Sequence, residues 1–390
     1  MPKAKREILI QIRALEGCKK SKECLLANKT GPIKKINKKT LTVLVCLSHV
    51  DGGGAEKQII GMLHAVKRNI QFHVVFIHGK KKPKNTKGIK FTQIKAESNY
   101  SLKIPLAVLK IVRQSKPNLI FSGSIQTDIV CGIISFICKV PWVSRYPSNP
   151  QFAHQKNKFK FIIQKSLYKV ASLIICNSVQ SLKYFKQKGL ENLALLPNYI
   201  PDIFIRNTTY KLAPPYRFLC ISRLVYNKNI LSALALFNKI LIKEKKSFTI
   251  VGSGPQKGEL KAFVSSQKIK NVRFIEHRKQ KSLKKFYNSH NILLFLSKSE
   301  SFPNVVFESY LNNLKLILSD ISAHQKNFKT ANKLIVSAPS EFRSINKVNE
   351  FCMKPFVKNE KNKKKLLKMH NLTKVANQFA CFLSARAKEY

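Results

Sequence analysis

The segment Leu41–Val50 (LTVLVCLSHV) is an apolar run without a polar face, and it breaks at once into Asp51-Gly52-Gly53-Gly54-Ala55-Glu56. A strand that alternates apolar and polar residues wets one face. A strand without that alternation is buried on both, as in parallel sheets covered by helices. Helical spacing through Ile59, Ile60, Leu63 and Val66 then supplies the first covering helix. One strand–turn–helix unit of this kind points to an α/β chain rather than an all-helical or antiparallel one.

The pattern repeats. Strands are expected at Phe72–His78, Asn118–Ser122, Trp142–Arg145 and Ser172–Asn177, with helices at Leu102–Gln114, Thr127–Cys138 and Asn157–Val170. Asn198–Pro215 carries Pro201, Pro214 and Pro215 without periodicity and reads as a linker. The alternation then restarts with strands at Arg217–Ile221, Ser247–Val251, Val272–Ile275, Ile292–Leu296 and Leu316–Leu318, and helices at Asn229–Lys243, Gln256–Gln267, Ser282–Asn288 and Pro303–Leu311. The reading is a basic leader over 1–40, α/β domains over 41–205 and 206–371, and a last helix over 372–390. A chain of 390 residues is long enough for two cores.

Charge is the second constraint. Seventy-two Lys and Arg against nineteen Asp and Glu give a formal net charge of +53, a field that attracts nucleic acid, anionic lipid or acidic substrates. The runs Lys80–Lys90 and Lys354–Lys368 and the leader concentrate it. The charge reads either as a functional surface or as compositional drift. No zinc-finger, helix-turn-helix or RNA-binding aromatic pattern accompanies it, so no specific nucleic acid is expected. The nine cysteines form no Cys-x-x-Cys pair and sit in apolar runs, as buried thiols of a reducing compartment do. The leader lacks a sustained apolar stretch, so no secretory signal is expected and the cytoplasm is the plain reading.

Ligands of open α/β sheets bind where strands run into helices. Four such turns carry candidate chemistry. Gly52–Glu56 could let a ligand approach the backbone closely, or could be a tight turn and no more. Ile221–Asn229 (ISRLVYNKN) places Arg223 and Lys228 between a strand and a helix start, suited to a diphosphate. Gly252 and Gly254 follow the next strand. Glu300-Ser301-Phe302-Pro303-Asn304-Val305-Val306-Phe307-Glu308 puts one carboxylate before a helix and a second on its second turn. Donors at the helix start suit a diphosphate, and the carboxylates suit sugar hydroxyls.

In these four segments, and more weakly in Trp142–Pro150, Ile175–Ser178 and Leu196–Ile200, the chain resembles family 4 glycosyltransferases, whose motif is Glu-x7-Glu. The resemblance covers about residues 41–320. It implies the GT-B fold, with two facing Rossmann-like doubly wound domains, the first for the acceptor and the second for the donor, and a C-terminal crossing helix. It implies that Glu300 contacts the donor sugar, that Glu308 holds ribose hydroxyls, and that Arg223 and Lys228 neutralise the diphosphate with help from the Phe302–Val305 amides. Gly53 and Gly54 would reach the donor phosphates. The Phe302-Pro303-Asn304 centre resembles members that use UDP-linked hexoses or N-acetylhexosamines. Two departures stand out. A Gly-Pro pair usual after the second Glu is replaced by Leu311-Asn312-Asn313-Leu314-Lys315, and a histidine common in the segment Ile120–Ser124 is absent.

The transfer that the resemblance implies is a retaining one. It is expected to need no cofactor and no metal, since Asp51, Asp128, Asp202 and Asp320 are the only aspartates and form no Asp-x-Asp. The nucleotide sugar is a substrate. The acceptor implied is a glycan or lipid-linked sugar, as in surface polysaccharide or lipopolysaccharide assembly. An anionic membrane surface is the expected partner, with the protein peripheral on the inner face of the cytoplasmic membrane. The apolar stripe Phe159, Ile162, Ile163, Leu167 and Val170, with Lys156, Lys158, Lys160, Lys165 and Lys169 around it, either packs on the first sheet or dips among lipids. A polyanion-binding protein and an inactive GT-B paralogue are the rival readings.

Overall fold

The computed structural model describes residues 40–50, 53–79, 88–98, 101–151, 158–201, 215–242, 245–276, 282–326, 330–337 and 342–388. The leader to residue 39, Asp51, Gly52, residues 80–87, Lys156 and the linker from 202 to 214 lie outside them, as do the side chains of 158–161. The chain forms two units, Met1–Tyr199 with His370–Tyr390, and Ile200–Met369.

The first unit holds a parallel sheet in the order β3-β2-β1-β4-β5-β6-β7. Its strands are β1 (Leu41–His49), β2 (Ile70–His78), β3 (Ile89–Gln93), β4 (Leu119–Ser122), β5 (Trp142–Tyr146), β6 (Leu173–Cys176) and β7 (Leu193–Leu195). Its helices are α1 (Gly54–Ala65), α2 (Lys103–Ser115), α3 (Ile125–Cys138), α4 (Lys158–Val170) and α5 (Val179–Gln187). Alternate residues of β1 feed opposite cores. Val43, Val45 and Leu47 pack in the cluster of α1, while Leu44 and Cys46 pack in the cluster of α2, α3, α4 and α5. A strand so placed needs apolar residues at every position, which is why its sequence lacks alternation. Edge strand β3 is under no such requirement; its mixed residues Ile89, Lys90, Phe91, Thr92 and Gln93 carry no strong strand signal.

The second unit holds β8 (Tyr216–Ile221), β9 (Lys246–Val251), β10 (Val272–Ile275), β11 (Ile292–Phe295), β12 (Lys315–Ser319) and β13 (Lys333–Val336). They form a parallel sheet in the order β10-β9-β8-β11-β12-β13. Its helices are α6 (Ile230–Lys239), α7 (Lys257–Ser266), α8 (Leu283–Ser289), α9 (Asn304–Leu311), α10 (Ser322–Lys326), α11 (Phe342–Met353) and α12 (Glu360–Met369). The Lys354–Lys368 run is therefore largely helix α12. Its Lys363 is buried and donates to Asn313 Oδ1.

At His370 the chain returns to the first unit as α13 (Leu372–Arg386). Asn371 caps it by accepting from Lys374 N at 3.1 Å. Val375, Ala376, Phe379, Ala380 and Leu383 join the core of α1 and β1, with Phe379 edge-on to Phe121 at 5.1 Å.

A buried polar network ties the other helical layer. Asp128 on α3 is fully buried and accepts from Ser122 Oγ (2.6 Å), Ser144 Oγ (2.9 Å), Tyr168 OH (2.5 Å) and Gln164 Nε2 (3.2 Å). Burial pushes its carboxyl up to about 6 against the pull of these four donors. On α4, Gln164 and Tyr168 therefore face inward, Leu167 is half-buried, and Ile162, Ile163 and Val170 face out. The apolar stripe of this helix is thus split between residues packed on the core and residues facing out.

Candidate active site

In the second unit β8 is central. The chain steps from it through β9 to β10 on one side, then crosses to β11 on the other. The crevice between the ends of β8 and β11 is a topological switch point, where open α/β sheets bind ligands. The loops after β8 and β11 meet there. Asn227, in the short 3-10 turn Tyr226–Lys228, accepts on its carbonyl from Lys298 N (2.9 Å) and Ser297 Oγ (3.1 Å). Its amide donates to the Ser299 carbonyl at 3.1 Å. Stitched so, the two loops bring Lys228 Nζ to 2.5 Å from Glu300 Oε1, with side chains only 15% and 11% exposed. Two charges held this far from water stabilise one another strongly, and removing either leaves its partner stranded.

Arg223 stands beside this pair in sequence but not in contact. Its side chain is exposed and makes no hydrogen bond or ion pair among the described residues, while its carbonyl accepts from Val225 N at 3.0 Å. Its loop is set by Gly252 and Gly254. A Cβ at Gly252 would overlap the Ser222 carbonyl oxygen, and one at Gly254 would overlap that of Leu224. The close approach lets Leu224 N donate to the Ser253 carbonyl at 2.8 Å and Gln256 N to the Leu224 carbonyl at 3.1 Å. These two glycines thus have a packing reason of their own: they hold the Arg223 turn against the neighbouring strand end.

Helix α9 begins one residue after Pro303, whose φ of −81° and ψ of 81° make a tight inverse turn. Asn304 N donates back to the Phe302 carbonyl at 3.0 Å, and proline has no N–H. The Phe302 ring stacks on Phe307 at 4.6 Å against the core, so this aromatic anchors the helix start. Glu308 is buried, and Tyr287 OH on α8 donates to its Oε2 at 2.6 Å. That excludes Glu308 as a solvent-facing helix residue.

Three residues of the site have no signal in the sequence: Asn227, Tyr287 and His324. His324 on α10 lies with its ring 5.8 Å from that of Phe295, and burial pushes its imidazole down to about 4. Its Nδ1 lies 3.0 Å from the Ser319 carbonyl, which makes it the protonated nitrogen. The departure after Glu308 also resolves. Asn313 takes the left-handed conformation (φ 64°), which glycine adopts freely and asparagine tolerates best among the rest. Lys315 is buried and caps α11 by donating to the carbonyls of Phe351, Cys352 and Lys354.

In the first unit Gly53 precedes α1 and Gly54 opens it. Gly53 has φ of −74°, and a Cβ there would meet only Glu56 Oε2 at 3.5 Å. Neither backbone nor packing demands this glycine. Where a histidine is common, Gly123 makes room for Ile59 and Leu47, and Ser124 caps α3. Among the described residues no cluster of three or more His, Cys, Asp or Glu side chains is arranged to hold a metal ion.

The switch-point loops lie inside the segment that has known counterparts. Residues 204–365 match the family of glycosyl transferases group 1. No curated protein matches the chain in sequence. Solved structures match it in fold. Anabaena Alr3699/HepE in complex with UDP-glucose aligns with a TM-score of 0.70 at 15% identity, over 88% of this chain and 100% of that one. Sucrose-phosphate synthase from Thermosynechococcus elongatus gives 0.70 at 14%, over 88% and 98%. WaaG, a glycosyltransferase involved in lipopolysaccharide biosynthesis, gives 0.65 at 10%, over 87% and 99%. The fold is GT-B, with two parallel-sheet α/β domains. In GT-B terms, Lys228, Glu300 and Glu308 are gathered in the second domain, while Gly53 and Gly54 belong to the first.

Proposed function

We propose that this protein is a retaining glycosyltransferase of family 4 type that moves a hexose or N-acetylhexosamine from a UDP-sugar to a glycan or lipid-linked acceptor, at the inner face of the cytoplasmic membrane. The observation that carries the reading is the Lys228–Glu300 pair, enclosed at the switch point within the segment that matches glycosyl transferases group 1. Similarity to a protein crystallised with UDP-glucose and to one of lipopolysaccharide biosynthesis supports the donor and the setting.

The chemistry follows from charge. As the sugar–phosphate bond breaks, the sugar gains positive and the diphosphate negative charge. The Lys228 ammonium is neutralised by Glu300. A bound diphosphate competes for that ammonium, which releases the Glu300 carboxylate to accept from a sugar hydroxyl. Arg223, exposed and uncommitted, adds a forked donor to the same phosphates. These charges are in place before reaction, so they stabilise the leaving group without reorganisation. Glu308, fixed by Tyr287, accepts from ribose hydroxyls. Fixed cations take the place that a divalent metal fills in other transferases, and the transfer needs none.

Calorimetry against a panel of nucleotide sugars, followed by transfer assays with the tightest, tests the reading. Arg223→Ala should lower turnover by ~100- to 1,000-fold while thermal unfolding stays near that of the parent; Glu300→Gln should lower turnover as much and, by stranding Lys228, unfold earlier than the parent. Unchanged turnover in both variants would sink it.

A further inference from the structure

Helices α2, α3 and α4 lie side by side on one face of the first sheet and bury Val108, Cys131, Ile134 and Tyr168 beneath them. Their outer surface is not polar. Phe136 is 77% exposed, Ile137 55% and Ile133 49% on α3, and Ile162 61% and Val170 55% on α4. Among the described residues, eight of the twelve exposed large apolar side chains belong to this layer, counting Leu102 at its edge. The charges between them have one sign. Lys110, Arg113, Lys116, Lys139 and Lys169 are exposed, and the only acid on the three helices is Asp128, which is fully buried. A patch of exposed apolar side chains rimmed by charge marks a contact surface.

We infer that the outer face of α3 and α4 rests on an anionic lipid bilayer, with Phe136, Ile137 and Val170 among the acyl chains and the lysines at headgroup level. The inference deepens the membrane setting proposed above and rests on that reading only for its purpose. A second copy of this chain would bring the same cations to a surface that has no exposed acid on these helices, in a molecule of charge +53. A nucleic acid would satisfy the lysines and leave the isoleucines wet. Only an anionic amphiphilic surface satisfies both sets. The face is also rigid enough to serve as a platform, because Asp128 on α3 holds Gln164 and Tyr168 of α4.

The test is cosedimentation of the full chain with vesicles of phosphatidylcholine, with and without phosphatidylglycerol. The parent should bind the anionic vesicles and not the neutral ones. The double variant Phe136→Ser with Ile137→Ser should bind them ~10-fold or more weakly, whereas Leu241→Ser with Met353→Ser, equally exposed in the second unit, should bind as the parent does. Phe136→Trp should shift its emission to the blue and be quenched by brominated lipid. Undiminished binding of the Phe136 double variant, or a tryptophan at 136 that stays in water on bound vesicles, overturns the inference. So does self-association in lipid-free solution that the double variant abolishes. UDP-sugar calorimetry on the same variants separates the two proposals: vesicle binding without donor binding overturns the transferase reading alone.

Discussion

Under the proposed function Lys228 and Glu300 would serve stability and chemistry at once, and the two can be separated. Replacing Lys228 by Met leaves the Glu300 carboxylate nearly enclosed without its cation, whereas replacing both by neutral residues removes both charges together. Lys228→Met alone should lower stability by about 3 kcal/mol, read as a fall in the denaturation midpoint. Lys228→Met with Glu300→Gln should regain most of that loss and regain none of the turnover. Recovery of turnover in the double variant would mean that the pair is structural only. Glu308 differs, because its partner is the neutral phenol of Tyr287, whose own ionisation burial and Glu308 push well up. That hydrogen bond fixes its position without pairing it to a cation.

At the scale of elements, the Asp128 network makes α3, α4, β4 and β5 a single piece. The folded carboxyl titrates at about 6, above the 3.8 of the free group, so the folded state holds the proton more tightly. Its contribution is complete below about pH 4 and is lost as pH rises through about 6. Denaturant unfolding across pH should therefore show a loss on the order of 3 kcal/mol from this group by pH 7, absent in Asp128→Asn. His370 has the opposite sign. Burial pushes it down to about 4, so the stability it contributes is present above about 6.5 and lost as pH falls towards 4. A stability difference between parent and Asp128→Asn that does not change with pH would show that the carboxyl titrates normally.

Across the whole molecule, the cationic excess is used in two ways. Some lysines are internal ties: Lys315 caps α11, Lys363 holds Asn313, and Lys246 donates to the Phe237 and Ile240 carbonyls. Others, such as Lys110, Lys116 and Lys139, face water, where like charges repel over a range that physiological salt cuts to ~8 Å. Among the described residues no helix is long and apolar enough to cross a membrane. Under the proposed function transfer should proceed unchanged in excess chelator, because Arg223 and Lys228 would supply the charge that a divalent ion otherwise does. Loss of transfer on chelation, with rescue by Mg²⁺ or Mn²⁺, would show that a metal carries the diphosphate instead.

The amino-acid sequence by itself determined what depends on near neighbours. Doubly buried strands such as Leu41–His49 announce themselves through unbroken apolar runs. The turns after β8 and β11 are legible because Arg223, Lys228, Glu300 and Glu308 sit at a strand end or a helix start. Only the tertiary structure decided what those residues meet. Lys228 and Glu300 are 72 positions apart, and strand order, set by packing over the whole unit, brings their loops together. Tyr287 reaches Glu308 across 21 positions with no spacing to betray it. Asn313 takes a glycine's conformation because side-chain identity limits φ without dictating it. Helix α3, apolar almost all round, gave no sign of which side would stay uncovered. That depends on whether another element packs over Phe136, and among the described residues none does, which no sequence window could show.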